Sequence, residues 1–369
     1  MNLVIGLGNA GTHIAKLASS SELLKDVEFY AIDSVLESAD MASLTRVKII
    51  PIISDEKSGS GRNRERGAAM FEYHKSKGAF DELMATVEKC VSPVVVITSS
   101  AGGTGSGSAP ALCKMIMEKG LQVVPIIVCP DMDDPDAYHL NTTDLMIDLQ
   151  AAGIETYATV RNRKGGADYT PINKEVVGMI EIIFGKKYDK APVKTDDTQD
   201  IDDSDLDVIM RTPGRFVAVS AEAMDIPSLQ KEITRKVFSG FQPAWTTEDS
   251  VSATFMVAYG LTSMFAAKDF DVVFSEVKSR IDGRYDEFRN IVNIDNNGVC
   301  KASVIVAGLP NAAMKKVEGA FKMATGIAEG MSHTSRPAFM TRRKAVIEDT
   351  GVDKTDKKTG DVFKQFKWR

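Results

Sequence analysis

The chain reads as an α/β protein: a doubly wound parallel sheet with a smaller α+β domain behind it. Three observations predict this. Continuous Val/Ile-rich runs alternate with helical patterns through the first half, as in strands buried on both faces of a parallel sheet. Two glycine-dense turns, residues 6–11 and 101–107, each fall between such a run and a helical pattern. After an acidic stretch at 186–207 the elements become shorter, and 369 residues exceed what one core usually holds.

Taken in order, strands are expected at 2–6, 27–32, 47–52, 93–98, 121–129 and 156–160, with helices at 10–19, 64–89, 109–119 and 136–152. A long helix follows, with Thr170 as N-cap, Pro171 at its first position and Val176, Val177, Ile180, Ile183 and Phe184 on its apolar face. The second half predicts strands at 215–220, 253–259, 288–294 and 302–307 and helices at 227–239, 270–281 and 311–328. Past Gly330 the apolar pattern fades, so 331–369 is expected to be a mostly disordered tail. The divisions expected are 1–169, 170–207, 208–330 and 331–369.

Composition narrows the function. Apolar content of 43% and charged content of 26% are those of a water-soluble globular chain, and no apolar run reaches the roughly 18 residues that span a bilayer. No leader-like segment opens the chain, so the cytoplasm is the expected compartment. Cys90, Cys113, Cys129 and Cys300 are scattered and read as buried thiols, and the four histidines do not cluster. A zinc site or a Ser-His-Asp apparatus is therefore not expected, and no protein-held metal. The net charge of −6 divides into +5 for residues 336–369 and −11 for the rest. The basic tail, rather than the acidic body, is the part suited to a negatively charged partner.

The chemistry sits in the glycine turns. In Ala101-Gly102-Gly103-Thr104-Gly105-Ser106-Gly107, backbone N–H groups can wrap a phosphate with no Cβ in the way. The following helix adds free N–H groups and its positive end, and Thr104 and Ser106 add hydroxyls. Gly6-Leu7-Gly8-Asn9-Ala10-Gly11 fits G-x-G-x-x-G, and Asp33 follows Gly11 by 22 residues. Alone, that is a dinucleotide fingerprint and points to an NAD-dependent oxidoreductase. One pyrophosphate turn does not use the second loop, however, whereas a nucleoside triphosphate held between two loops uses both.

The second loop resembles the Gly-Gly-Gly-Thr-Gly-Ser-Gly loop of the tubulin and FtsZ GTPases, with Ala101 at its first glycine. The resemblance runs through about residues 1–310 in matching order and implies a GTPase of that superfamily, nearest its plasmid and phage TubZ branch. It implies that Gly8, Asn9, Ala10, Gly11 and Thr12 cradle the α and β phosphates. Gly61, Arg62 and Asn63, within Gly59-Ser60-Gly61-Arg62-Asn63-Arg64-Glu65-Arg66-Gly67, resemble the loop that approaches the terminal phosphate. Asp134 is implied for the ribose, although the cluster 131–136 equally suits a helix N-cap. Asn162, Tyr169 and Asn173 are implied for the guanine: amides suit its mixed edge, and an aromatic stacks on it.

No general base stands among these loops. The resemblance supplies one from the next subunit: Asp200-Ile201-Asp202-Asp203-Ser204-Asp205 occupies the place of the Asn-x-Asp-x-x-Asp of FtsZ. Asp202 and Asp205 fall on the acid positions, and Asp200 replaces the asparagine. The implied assembly is a head-to-tail homopolymer with GTP or GDP at each junction and Mg²⁺ held through the phosphates. Its implied task is moving plasmid or phage DNA. In the tail, Arg336-Pro337-Ala338-Phe339 resembles an FtsZ adaptor-binding peptide, and Phe363 to Arg369 interleaves aromatics with cations, suited to a DNA-bound adaptor or an acidic partner.

Overall fold

The opening residues show no polar–apolar alternation: Asn2–Leu7 is apolar on both faces and forms the buried strand β1. A computed structural model of the chain describes residues 1–34, 46–53, 59–91, 93–131, 133–162, 168–184, 203–238, 255–261, 267–281, 286–292 and 299–309. The helix expected at 311–328 and the tail lie outside the described residues. Strands β2 (Val27–Asp33), β3 (Val47–Pro51), β4 (Val94–Ser99), β5 (Val123–Cys129) and β6 (Thr156–Arg161) join β1 in a parallel array. Strands β7 (Gly214–Ala223), β8 (Phe255–Leu261), β9 (Asp286–Val292) and β10 (Cys300–Leu309) extend it. The single ten-stranded sheet runs β3-β2-β1-β4-β5-β6-β7-β10-β8-β9. β7 joins β6 in parallel through Thr156–Gly214 and Tyr157–Arg215, and β10 is antiparallel to both β7 and β8.

Strand order reverses between β1 and β4, which are hydrogen-bonded neighbours. In a doubly wound sheet this switch point opens a crevice beyond the carboxyl ends of the strands. The two glycine turns leave the sheet there, after Leu7 and after Ser99.

Helices cover both faces. On one face lie α1 (Gly8–Ser19), the long α6 (Thr170–Phe184) and α7 (Asp203–Met210). The other carries α2 (Arg64–Ser76), α3 (Asp81–Val87), α4 (Thr104–Met117) and α5 (Asp136–Ala151). Helices α8 (Ile226–Phe238) and α9 (Ala267–Arg280) pack over the second half of the sheet around Leu229, Ile233, Val273 and Phe274.

Three expectations are corrected. The helix expected at 64–89 is two helices. Gly78, at φ +77°, is left-handed; its N–H donates to Lys75 O and that of Ala79 to His74 O. This is the Schellman stop, and it lets Phe80 stack on Phe71 with ring centroids 4.4 Å apart. The helix expected from Ala109 begins five residues earlier, at Thr104, leaving Pro110 inside it. Pro110 has no N–H for Ser106 O, and Arg64 Nη2 donates to that carbonyl instead, at 3.2 Å. Thr170 is the first residue of α6 rather than its cap; Asp168 Oδ1 accepts its N–H at 2.9 Å. Hydrogen bonding from Thr170, its side chain first and its backbone N–H second, holds the Asp168 carboxyl below its ordinary range.

Candidate functional site

The two glycine turns interlock at the switch point. Gly8, at φ +66°, opens α1 so close to the start of α4 that a Cβ there would lie 2.9 Å from Gly105 N. A Cβ on Gly103 would meet Ser60 Oγ at 2.3 Å and Asn63 N at 2.6 Å, so the loop at 59–63 packs against the loop after β4. Gly102 differs: a Cβ there would have nothing within 4 Å, and the same holds for Gly61. The other glycines serve packing, whereas Gly102 and Gly61 face open space on the rim of the crevice.

Hydroxyls lock the cluster from beneath. Thr104 Oγ1 donates to Ser60 Oγ at 3.0 Å and so accepts from Ser34 Oγ at 2.6 Å. This buried chain joins the ends of β2 and β4 to the loop before α2. Ser106 Oγ donates to Gly102 O. The hydroxyls expected to serve a phosphate therefore spend their protons holding the loop's shape. Asp33, at the end of β2, is buried and accepts the N–H of Ser34 at 2.6 Å.

The arginines divide their work. Arg64 pairs with Asp148 at 2.6 Å in addition to its bond with Ser106 O, which fixes it in the wall. Arg62, with its backbone left-handed at φ 62°, is exposed and lays its guanidinium 4.9 Å from the Tyr138 ring centroid. Asn141 Nδ2 donates to Arg62 O at 3.3 Å and to Ala101 O at 3.2 Å, bridging the two loops. Asn63 caps α2 by accepting the N–H of Arg66 at 2.8 Å. Asn9 is exposed, Ala10 half-buried and Gly11 packed against Ile97 O.

On the far side of the crevice, Asp134 Oδ2 accepts the N–H of Asp131 at 2.8 Å, and α5 begins without a side-chain cap. Arg161 Nε lies 3.2 Å from Asp131 Oδ1, tying the ends of β5 and β6. Asn162 N donates to Cys129 O, also across those two ends. Tyr169 is 56% exposed, and Asn173 sits one helical turn on, its N–H donating to Tyr169 O. Asp202 lies outside the described residues, and Asp205 falls in the first turn of α7. Cys113 and Cys129 are pushed up to about 12 by burial, which leaves them unreactive.

Two polar atoms fit a ligand in the crevice. Among the described residues, Thr12 Oγ1 and Asn162 Oδ1 are buried with no hydrogen-bond partner, a costly condition that a bound polar molecule relieves. One lies in the first turn after the β1 loop and the other after β6. Open glycine backbone at Gly102, helix N-termini of α1 and α4, and an acceptor at Asn162 make a set suited to a phosphorylated nucleotide. Among the described residues no group of three or more His, Cys, Asp or Glu is placed to hold a metal ion. Sequence reasoning missed Ser34, Ser60, Tyr138 and Asn141. The only signal for Ser34 was its place just past a strand end; the others depend on loops meeting in space.

Fold and crevice together suit a nucleotide held between two glycine loops. The comparisons make the class specific. Residues 2–164 match the model of the Tubulin/FtsZ family, GTPase domain. No curated protein sequence matches. Among solved structures, the GTPγS-bound protofilament of CetZ2 from Haloferax volcanii is similar, with a TM-score of 0.70 at 20% identity over 89% of this chain and 100% of that one. The FtsZ dimer of M. jannaschii gives 0.61 at 17%, over 83% and 87%. A GTPγS-form protofilament of Bacillus thuringiensis serovar israelensis TubZ gives 0.63 at 16%, over 90% and 95%. These likenesses show the fold that the chain shares with all three and do not select the TubZ branch expected from sequence. The first glycine loop lies within the stretch that matches the GTPase-domain model, and nothing in the comparisons supports its reading as an NAD fingerprint.

Proposed function

We propose that the chain is a GTPase that assembles head to tail and completes its active site at each junction. Residues 1–169 bind the nucleotide, 170–207 carry the central helix and the acids, and 208–330 are the C-terminal α+β domain. GTP lies in the crevice, its α and β phosphates against the backbone of Gly8 to Thr12 and its terminal phosphate between the loops at 61–63 and 101–106. Thr12 donates to a phosphate, Asp134 serves the ribose, and Asn162 and Asn173 read the guanine beside Tyr169. Mg²⁺ would be held through the phosphates and neutralise charge there.

The neighbour's Asp202 and Asp205 then orient the attacking water toward the terminal phosphate. Carboxylates repel a phosphate, so their work is positioning rather than binding. The observation that carries this reading is the crevice itself: open backbone at Gly102 and, among the described residues, unpaired Thr12 Oγ1 and Asn162 Oδ1 at one end of the strands. Relatives with this fold are solved as GTPγS protofilaments, which supports self-association. The cytoplasm is the compartment this function suits. Movement of plasmid or phage DNA, captured through an adaptor by the basic tail, is the cargo reading. No described helix is long and apolar enough to cross a membrane.

Sedimentation with GTP, GDP and NAD tests the proposal. GTP-dependent pelleting with phosphate release is expected, and NAD should have no effect. Pelleting indifferent to nucleotide would sink it.

A further inference from the structure

The helix that carries Asp205 is short. Eight residues are too few to hold a helix in water without packing, and the last carbonyls of any helix lack partners within it. Around α7 those needs are met from the nucleotide-binding half of the chain. Ile209 and Met210 are fully buried in the core cluster that α1, α6 and the sheet share. Gln122 Nε2 donates to Met210 O at 3.1 Å, and Thr156 Oγ1 donates to Thr212 O at 2.7 Å. Glu155 O accepts the N–H of Gly214 at 2.8 Å just beyond.

Gln122 and Thr156 stand at the amino ends of β5 and β6. The carboxyl ends of the same strands lead to Asp131, Asp134 and Asn162 in the nucleotide crevice. Seven residues of β5 span roughly 23 Å at about 3.3 Å each. The two strands thus act as rigid rulers, with the subunit's own nucleotide at one end and its acid-bearing helix pinned to the other.

We infer that Gln122 and Thr156 are positioning residues for hydrolysis, fixing α7 and therefore Asp205 where the next subunit's nucleotide will meet it. The inference rests on the head-to-tail reading above. Its weight comes from direction: Gln122 donates to the last carbonyl of α7 and Thr156 to the Thr212 carbonyl just past it, both from the strand ends away from the crevice.

The test uses the full chain with Gln122→Leu and Thr156→Val together, Thr156→Ser as the conservative control and Asp205→Ala as reference. GTP turnover is measured per pelleted subunit, and GTP affinity on dilute protein. Misplacing a reacting group by about 1 Å costs up to a hundredfold. Turnover should fall about tenfold to a hundredfold in the double variant, with GTP affinity within twofold of the parent, while Thr156→Ser keeps the parent's turnover. Turnover within twofold of the parent, with Asp205→Ala inactive, overturns the inference and leaves the head-to-tail reading standing. A loss that Thr156→Ser shares, or that comes with an equal loss of GTP affinity, also overturns it, since it marks a general structural role. Full-speed Asp205→Ala overturns the reading beneath. Should the double variant fail to fold, half-buried Gln122→Leu is measured alone. Reduced turnover at the parent's GTP affinity then supports the inference, and the parent's turnover overturns it.

Discussion

Two adjacent glycines should fail in opposite ways when each is given one methyl group. A Cβ on Gly102 meets nothing within 4 Å, whereas one on Gly103 lies 2.6 Å from both Asn63 N and Asn63 O. To restore ordinary 3.4 Å contact, the Asn63 backbone must retreat by roughly 0.8 Å. Overpacking of that size costs about 1–3 kcal/mol. Gly103→Ala should therefore lower the unfolding midpoint of the nucleotide-free protein. Gly102→Ala should leave stability within about 0.5 kcal/mol of the parent. Its cost falls on binding, because the methyl group stands where a phosphate approaches the N–H groups. Losing one charge-assisted bond costs about 1.5–3 kcal/mol, or about tenfold to a hundredfold in affinity. Thermal unfolding without nucleotide and titration with a fluorescent GTP analogue read the two effects separately. Gly102→Ala that binds GTP as tightly as the parent would refute the claim that the open rim of this loop is the phosphate-facing surface.

Further outcomes follow from single side chains. Thr12→Val removes a buried hydroxyl that has no partner, so unfolding should be unchanged or slightly later while GTP affinity falls several-fold; a drop in stability with binding intact would contradict this. Asn63→Ala deletes the α2 cap and should cost about 1 kcal/mol in denaturant unfolding. Arg215 is 2% exposed, its three guanidinium nitrogens have no hydrogen-bond partner among the described residues, and burial pushes it down to about 10. Because burial disfavours the charged form, the penalty is present at every pH below about 10 and fades above it. Arg215→Met should then be neutral or stabilising by about 1–4 kcal/mol at pH 7; marked destabilisation there would mean that the guanidinium has an anionic partner.

Much of this was legible in the chain because local pattern and global fold agree. Val94–Ser99 and Val123–Cys129 are apolar on both faces, and only a covered parallel sheet buries such runs. Gly102 and Gly103 marked the phosphate loop for the same local reason. Where sequence reading failed, distant contacts decided. The helix expected from Ala109 begins at Thr104 instead, and the carbonyl that Pro110 frees is satisfied by Arg64 from α2, which no short window reveals. Thr104 and Ser106 looked like phosphate ligands because hydroxyls beside glycines suggest it, yet their protons go to Ser60 and Gly102. Gly78 carried a readable stop signal inside the run at 64–89, overridden by the strength of the helical pattern around it. Thr12 and Asn162 were chosen by resemblance; their unpaired buried atoms are a reason of a different kind.

The shared active site is most directly tested by GTP turnover per molecule as the protein is diluted. If acids from one subunit complete the pocket of the next, turnover per molecule is near zero at low concentration and rises steeply where filaments begin to pellet. A constant rate per molecule through that dilution would contradict the account, because an isolated subunit would then carry all its catalytic groups.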